Sequence, residues 1–210
     1  MAEHFDTENL NHKGYLQNKV ERSLFQNFTT ELEIIKEINK LNYKKSPGYD
    51  DISVKFLHAA KVLVAKPLML IFNQAINTGQ YPDALKIAKV IPLFKKGDPH
   101  QINIYRPISL LSIINKKFEK LLYRRFYNFL IKHNVLYKYQ FGFRKGYSTT
   151  MALIEIVNNI KTAIDNNKFV CGIFLDLTKA FDMVNHKILL SKFHHDGIRG
   201  QTNNLFKSYF

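Results

Sequence analysis

Asp176 and Asp182 are the acidic residues whose types and spacing could support metal chemistry. They lie in the stretch FLDLTKAFDMVNH, which runs from Phe174 to His186. Asp176 ends a short apolar run, and a carboxylate is costly to bury there unless a cation or hydrogen-bond donors lie beside it. Carboxylates at strand ends often hold Mg²⁺ for phosphoryl and nucleotidyl transfer. An aspartate that caps a helix or forms a salt bridge is an equally good interpretation of this segment.

Asp182 is the weaker candidate ligand. It falls in the first turns of a predicted helix that Thr178 can cap, where the helix dipole favours an acid by about 0.3–1 kcal/mol. The change from strand to helix also turns the two carboxylates away from a shared ion. Two-metal catalysis needs carboxylates that bridge ions about 3.5–4 Å apart, so at least one more acid must come from elsewhere. Asp50 and Asp51, in a Pro-Gly loop, are interpreted as turn and N-cap residues.

The charge balance indicates a nucleic-acid partner. Lys and Arg number 31 against 17 Asp and Glu, the formal net charge is +14, and the excess is spread along the chain. A folded basic domain of this kind is typical of nucleic-acid binding. A solvated basic surface and affinity for anionic lipid are the alternatives. The 46% hydrophobic content is enough to bury a core.

Several function classes are not expected. No uninterrupted apolar run reaches about 18 residues, which predicts that no segment spans a membrane. The polar, acidic start MAEHFDTENL does not resemble a signal peptide. Cys171 is the only cysteine, so we expect no disulfide, within the chain or to a partner, and a thiol buried in the core. These features predict an intracellular protein of the cytoplasm or nucleus.

Hydrophobic periodicity predicts helices interleaved with a few strands, and therefore an α/β or mixed α+β fold. Predicted helices cover TTELEIIKEINKL, residues 54–78 as two helices divided near Pro67, residues 113–134, 149–166 and 178–195, and a last helix from near Thr202. Thr29 or Thr30 can cap the first helix, Gly79 and Gly197 are expected to end two later ones, and the Lys and Arg of residues 113–134 are expected on the outer face of their helix. Predicted strands are KIAKVIPLF, IYRPISL and the strongly buried KFVCGIFLDL.

Four blocks, in this order along the chain, resemble the reverse transcriptases of non-LTR retrotransposons of the LINE or jockey type. They are NKLNYKKSPGYDDI, AKVIPLFKKGDPHQINIYRPISLLSIINKKFEKLL, YQFGFRKGYSTTMAL and FLDLTKAFDMVNH, and the last resembles motif A of that family. Together they span roughly residues 30–210. Group II intron enzymes and telomerase share the fold that this resemblance implies.

The resemblance implies a right-hand polymerase of which this chain holds the fingers and part of the palm. Residues 1–80 would form an N-terminal helical region that leads into the fingers, and residues 81–210 a truncated reverse transcriptase domain. The implied activity is RNA-directed DNA polymerisation, in which a primer 3′-hydroxyl attacks a dNTP by two-metal nucleotidyl transfer. The implied partners are an RNA template, a DNA primer or target and dNTPs, and the implied cofactor is Mg²⁺.

The resemblance also implies roles for individual residues. Asp176 would be the motif A metal ligand, with the main-chain carbonyl of Leu177 on the same ion. Phe181 would be the steric gate that excludes a 2′-hydroxyl, although its residue type alone favours a core helix position. Two further sets of residues complete the implied site. The incoming triphosphate would be contacted by Lys95, Lys96 and Arg106. Near the template or nucleotide would lie Gln140, Arg144 and Lys145. His194 and His195 are expected at a solvated helix end.

One departure from the family pattern bears on activity. No Phe/Tyr-x-Asp-Asp box, the family's motif C, follows Asp176, and no thumb follows it either. We therefore expect the chain of 210 residues to be inactive on its own. The alternatives are a basic nucleic-acid-binding fragment without catalysis, and a decayed transposon relic that does not fold stably.

Overall fold

The computed structural model describes residues 14, 16, 19–177 and 179–210. The described part mixes helix and strand, as the sequence predicts. It divides into two compact units, one formed by residues 19–129 with 186–210 and the other by residues 130–185, and each is described by itself. The predicted boundary between residues 80 and 81 stays a prediction.

The elements follow one another in this order. They are α1 (Glu31–Asn39), α2 (Val54–Thr78), α3 (Asp83–Lys86), β1 (Ala88–Phe94), β2 (Tyr105–Leu111), α4 (Ile113–Lys132), α5 (Thr149–Asp165), α6 (His186–His195) and α7 (Gly200–Tyr209). A single turn of 3₁₀ helix, Ile102–Ile104, precedes β2. No helix in the described residues is long and apolar enough to cross a membrane.

Short polar side chains start the first two helices. The Thr30 hydroxyl accepts a hydrogen bond from the Glu33 amide at 3.2 Å, which confirms the predicted cap of α1. The predicted cap of α2 was wrong: Ser53, not Asp51, accepts from the Phe56 amide. An N-cap residue needs extended backbone, which Ser53 has, whereas Asp51 is left-handed with φ 50°. Asp50 does form the predicted turn, accepting from the Ile52 amide at 3.3 Å.

Residues 54–78 form a single helix, α2, so the expected division near Pro67 was wrong. Proline lacks an N–H, and the carbonyl four residues earlier, that of Leu63, therefore has no helical donor. Pro67 and Leu63 both lie on the exposed face of α2, where water can satisfy that carbonyl. Gly79 ends the helix as predicted, with φ 69° and its amide on the Ala75 carbonyl at 2.9 Å.

The core of the first unit is built on a stack of three rings. Phe118 of α4 lies 4.4 Å, between ring centroids, from Phe72 of α2 and 5.1 Å from Tyr81. Phe72 and Phe118 are fully buried. The Tyr81 hydroxyl donates to the side chain of Asn115, which is itself fully buried and donates to Glu119 at 3.0 Å. Aliphatic residues of α1, α2 and α4 surround this stack.

Ion pairs join α4 to α1. Arg124 and Lys40 both contact the Glu37 carboxylate, whose side chain is only 3% exposed. Arg125 pairs with Glu33 at 2.9 Å. The expectation that the basic residues of α4 lie on its outer face was therefore wrong for its two arginines, because acids on α1 draw them inward.

Strands β1 and β2 form an antiparallel ribbon, as predicted, with a register that runs from Ala88 opposite Leu111 to Phe94 opposite Tyr105. Most of its side chains are exposed on both faces. The base of the ribbon is fixed by Gly48, because a Cβ there would lie 2.5 Å from the Ser112 amide nitrogen. The Ser112 hydroxyl also donates to Asp50 at 2.5 Å, so the Pro-Gly loop clamps the ribbon to α4.

In the second unit, α5 forms where it was predicted, with Ser148 as its cap. The predicted buried strand over residues 168–177 was wrong: these residues form no strand, and Phe169, Phe174 and Leu175 are almost fully exposed. A strand is stabilised by a ladder of hydrogen bonds to a neighbour, and in the described residues only β1 and β2 pair. Cys171 lies in this segment and is exposed, contrary to the expected core position.

The helix predicted from Thr178 starts later than expected. Thr178 lies outside the described residues, residues 179–183 form turns, and α6 begins only at His186. Lys179 is left-handed with φ 51°, which breaks any helix at that point. Gly197, with φ 93°, follows α6 as predicted. The Ile198 amide donates a hydrogen bond to the Phe193 carbonyl at 2.8 Å.

Truncating one ring of the stack should test the packing of the first unit. We expect Phe72→Ala to lower the free energy of unfolding by about 3–5 kcal/mol, because it leaves a cavity against Phe118. Urea denaturation followed by circular dichroism measures this change. Leu63→Ala, on the same helix but 80% exposed, is the matched control and should alter stability by less than about 0.5 kcal/mol. Equal effects of the two substitutions would show that α2 does not pack as described.

The Glu37 ion pairs should make stability depend on pH. Burial raises the pKa of Glu37, but the contacts of Lys40 and Arg124 outweigh it, and the pKa is lowered from its ordinary 4.5. The charged form is therefore favoured in the folded state. The contribution of the charged Glu37 carboxylate to the free energy of unfolding is complete above pH 4.5. It disappears as the pH falls through the lower, folded-state pKa.

We expect Glu37→Gln to cost about 1.5–3 kcal/mol at neutral pH, towards the lower end because Arg124 is partly exposed. Unfolding curves collected from pH 7 into the acid range should show this difference shrinking below the ordinary pKa. Lys86→Gln, which breaks the exposed pair with Asp83, is the control and should cost at most about 1 kcal/mol. A difference between wild type and Glu37→Gln that stays constant with pH would contradict the assignment.

Candidate active site

The basic residues of the ribbon lie at its free end, in the first unit. Arg106 pairs across the ladder with Leu93, and the Lys95 amide donates to the Ile104 carbonyl at 3.2 Å. Lys96 lies in the bend that follows. Lys95, Lys96 and Arg106 are all exposed. The structure therefore brings these three predicted residues together at one end of a two-stranded ribbon, where their charges can meet an anion.

The other predicted residues lie in the second unit, around an aromatic contact. Phe181 meets Phe143 edge to face, with 5.9 Å between ring centroids. This contact joins the turn after Asp176 to the glycine-punctuated loop at residues 140–147. Phe181 is 77% exposed, so it is not the core residue that its type alone would favour. In the same loop, Gln140 donates to the Gly142 carbonyl at 3.3 Å.

Arg144 is held by neighbours within its own loop. Its guanidinium lies 4.2 Å from the centroid of the Tyr147 ring, a cation–π arrangement. One of its terminal nitrogens also donates to the Tyr137 carbonyl at 3.4 Å. Lys145, which follows it, is exposed. The loop thus carries two adjacent cations, and an aromatic ring fixes the position of the first.

The predicted metal ligand, Asp176, is exposed, and so is Leu177. Asp182 lies in the turn at residues 181–183 rather than in a helix. The part of the chain that the structure describes contains no group of three or more His, Cys, Asp or Glu side chains that could hold a metal. A carboxylate and a carbonyl do not make a complete Mg²⁺ site, which prefers octahedral oxygen coordination.

The two histidines at the end of α6 do not form a metal site. His195 lies beside Asp196, with its Nδ1 3.0 Å from the carboxylate, and is only partly exposed. His194 is exposed at the end of the helix. The expected solvated position is therefore seen for His194, whereas His195 lies against its neighbour.

The sequence from the ribbon to the end of the chain matches a known family. Residues 94–210, more than half of the chain, match the model of the family described as "Reverse transcriptase (RNA-dependent DNA polymerase)". The chain belongs to this reverse transcriptase family. The matched region contains the ribbon end, the Gln140–Lys145 loop and Asp176.

Similar proteins come from mobile elements of flies. A probable RNA-directed DNA polymerase from transposon BS of Drosophila melanogaster is 35% identical over 161 residues, 76% of this chain and 18% of the relative. The RNA-directed DNA polymerase from mobile element jockey of the same species is 35% identical over 179 residues, 85% of this chain and 20% of the relative. The jockey polymerase of Drosophila funebris is 34% identical over 77% of this chain and 18% of the relative.

These matches confirm that the chain is similar to polymerases of the jockey type. The chain spans about a fifth of the length of the relatives that it matches.

Sequence reasoning missed two features of the site. The first is Phe143, which contacts Phe181 and adopts a left-handed backbone with φ 58°. The alternating aromatics and glycines of YQFGFRKGY were the available signal for such a ring contact. The second is the clamp of Asp50 on Ser112, which fixes the base of the ribbon. No local pattern marks that contact, because the two residues are 62 positions apart.

The exposed segment after α5 should exchange its amide protons quickly. We expect the amides of residues 169–177 to exchange at close to unprotected rates, because none of them donates a backbone hydrogen bond within the described structure. The amides of β1 that pair with β2 are the internal control and should be protected. Hydrogen exchange read by mass spectrometry distinguishes the two segments. Protection over residues 169–177 equal to that of β1 would show that this segment is paired after all.

Proposed function

We propose that the chain is a part of an RNA-directed DNA polymerase that extends a primer 3′-hydroxyl with dNTPs on an RNA template. The family match over residues 94–210 carries this proposal. The relatives from transposon BS and jockey, whose names describe that activity, support it. The net charge of +14 suits a protein that handles two anionic strands and a triphosphate.

The ribbon end is the proposed contact for the triphosphate of the incoming dNTP. Lys95, Lys96 and Arg106 place three cations on the exposed free end of the ribbon. Fixed cations on a transferring phosphoryl group stabilise the charge that develops in the transition state. The guanidinium of Arg106 can contact two phosphate oxygens at once, whereas each lysine acts as a single charge.

The second unit supplies the proposed nucleotide-selecting residues. Phe181 is the proposed steric gate, since its exposed ring can fill the space that a ribose 2′-hydroxyl would need. Phe143 supports that ring from the side. Gln140, Arg144 and Lys145 are the proposed contacts to the template or nucleotide, because they place an amide and two cations on one short loop.

Asp176 is the proposed metal ligand, together with the main-chain carbonyl of Leu177. Mg²⁺ would neutralise the charge on the triphosphate. The described residues do not complete such a site. We therefore propose that this chain by itself binds nucleic acid without polymerising, which is also the second candidate function.

Primer extension by the purified chain tests this proposal. We expect the chain to bind an RNA template annealed to a DNA primer, and to incorporate no dNTP in a manner that depends on Asp176. Binding should weaken as salt rises, with a log-log slope of about −0.7 to −0.9 for each phosphate contact. Gel analysis of the labelled primer gives the extension, and fluorescence anisotropy gives the binding.

Asp176→Asn is the control for extension, because it keeps the size of the side chain and removes its charge. Extension by wild type that this substitution abolishes would overturn the proposed inactivity and would support catalysis by the chain alone. Binding that does not change with salt would overturn the nucleic-acid proposal.

For the ribbon, Arg106→Gln should weaken the retention of dTTP in equilibrium dialysis. The matched control is Lys89→Gln, an exposed position at the other end of the ribbon, which should leave dTTP retention unchanged.

A further inference from the structure

A cavity in the first unit lies outside the predicted active site. It has a volume of about 640 Å³, within the range of roughly 300–1,000 Å³ that ligand pockets occupy. Six aromatic side chains line it, and we call it the aromatic pocket: Tyr81, Tyr123, Phe126, Phe206, Tyr209 and Phe210. The charged residues of the lining are Lys116, Lys120 and Glu119. The pocket therefore combines flat apolar faces with two cations and one carboxylate.

The polar groups of the pocket are fixed by hydrogen bonds. The Tyr209 hydroxyl donates to Glu119 Oε1 at 2.6 Å, and the Asn115 amide donates to the same oxygen at 3.0 Å. Burial and the neighbouring Glu119 raise the pKa of Tyr209, so its hydroxyl stays a donor over the physiological range. Both hydrogen bonds are accepted by Oε1 of Glu119. Its other oxygen, Oε2, can accept a hydrogen bond from a donor that enters the pocket.

Positive charge surrounds the mouth of the pocket along α4. Lys120 Nζ lies 5.0 Å from the centroid of the Tyr123 ring, and that ring is 46% exposed at the rim. Lys116, four residues before Lys120 on the same helix, also lines the pocket. Two ammonium groups in one lining favour an anionic ligand beside them.

We propose that the aromatic pocket holds one unstacked base of a single-stranded nucleic acid, while Lys116 and Lys120 contact the phosphates on either side of it. A base has two π-faces for the aromatic rings and N–H donors for the Glu119 carboxylate. The backbone of the strand supplies the anions for the lysines. Aromatic platforms inside a basic groove are how proteins bind single strands.

Other ligands fit this lining less well. An acyl chain or an aliphatic side chain offers no donor to Glu119, and a free phosphate leaves the aromatic faces unused. The lining of the pocket includes neither the ribbon-end residues nor Asp176, and binding there needs no polymerisation. The inference rests on the proposed function only for the class of ligand, nucleic acid.

A comparison of strands with and without bases tests the inference. Fluorescence anisotropy would measure the binding of oligothymidylate of about twelve nucleotides, within the site sizes that single-strand binders show, and of an abasic strand of equal length. Wild type should bind the base-containing strand about 5- to 160-fold more tightly, the range expected from stacking of one base. Tyr123→Leu, which keeps an apolar side chain at the rim but removes the ring, should lose most of that preference.

Two further variants separate stacking from charge. Lys120→Gln should weaken binding of both strands equally and reduce the salt slope by about 0.7, the contribution of one single-strand phosphate contact. Tyr43→Leu is the matched control, because Tyr43 is 60% exposed and lies outside the aromatic pocket; it should leave the preference unchanged. Melting curves of each variant confirm that it is folded.

The outcomes separate this inference from the proposed function. Binding of both strands by wild type with no loss of base preference in Tyr123→Leu would overturn the pocket assignment and leave nucleic-acid binding in place. Failure of wild type to bind any strand at low salt would overturn both the inference and the nucleic-acid part of the proposed function.

Discussion

The stack of Phe118 between Phe72 and Tyr81 is the contact on which the first unit depends. It joins the end of α2, the chain just after it and the first turns of α4. Because a buried ring pair contributes both apolar burial and a preferred geometry, it fixes the rotation of α4 about its own axis. That rotation points Arg124 and Arg125 at the acids of α1. It also places Glu119 against Tyr209, so the aromatic pocket exists because the stack is in place.

The ribbon depends on the same helix through its backbone. Ser112 lies between β2 and α4, and the Pro-Gly loop packs so closely on it that Gly48 has no room for a side chain. The two strands have little core of their own, since their side chains are mostly exposed. Their position is therefore set at one end only, and the basic residues lie at the other end. This arrangement suits a cationic group that must approach a ligand while the other end of the ribbon stays fixed.

Much of the fold could be predicted from the sequence because its determinants are local. Thr30, Gly79 and the apolar periodicity of α2 and α4 act within a few residues, and the elements formed where they indicated. Two of the misses depended on partners distant in the chain. Glu37, which turns Arg124 inward, lies 87 positions away on α1. Residues 168–177 have the composition of a buried strand, but a strand also requires a neighbour, which composition cannot supply.

In the candidate site, too, some features follow from the local sequence and others depend on contacts that it does not indicate. Residue types and order identified the family. Lys95, Lys96 and Arg106 lie at one end of the ribbon, and their contact with a triphosphate stays a prediction. The ring contact of Phe143 with Phe181 depends on a left-handed backbone that no propensity indicates for phenylalanine. The aromatic pocket was not foreseen either. Its side chains come from α4, α7 and the turn after α2, and each looks like an ordinary core residue in its own segment.

The run from Phe169 to Leu175 has a consequence for the chain in concentrated solution. It contains no charge and no proline, and its backbone groups face solvent. Such a run is a template for self-association, because another copy of it can complete the missing ladder. Lys168 and Asp176 stand at its two ends. Charges at these flanking positions act as gatekeepers against stacking of identical segments. The carboxylate that we propose as a metal ligand can thus also help to keep the protein dispersed.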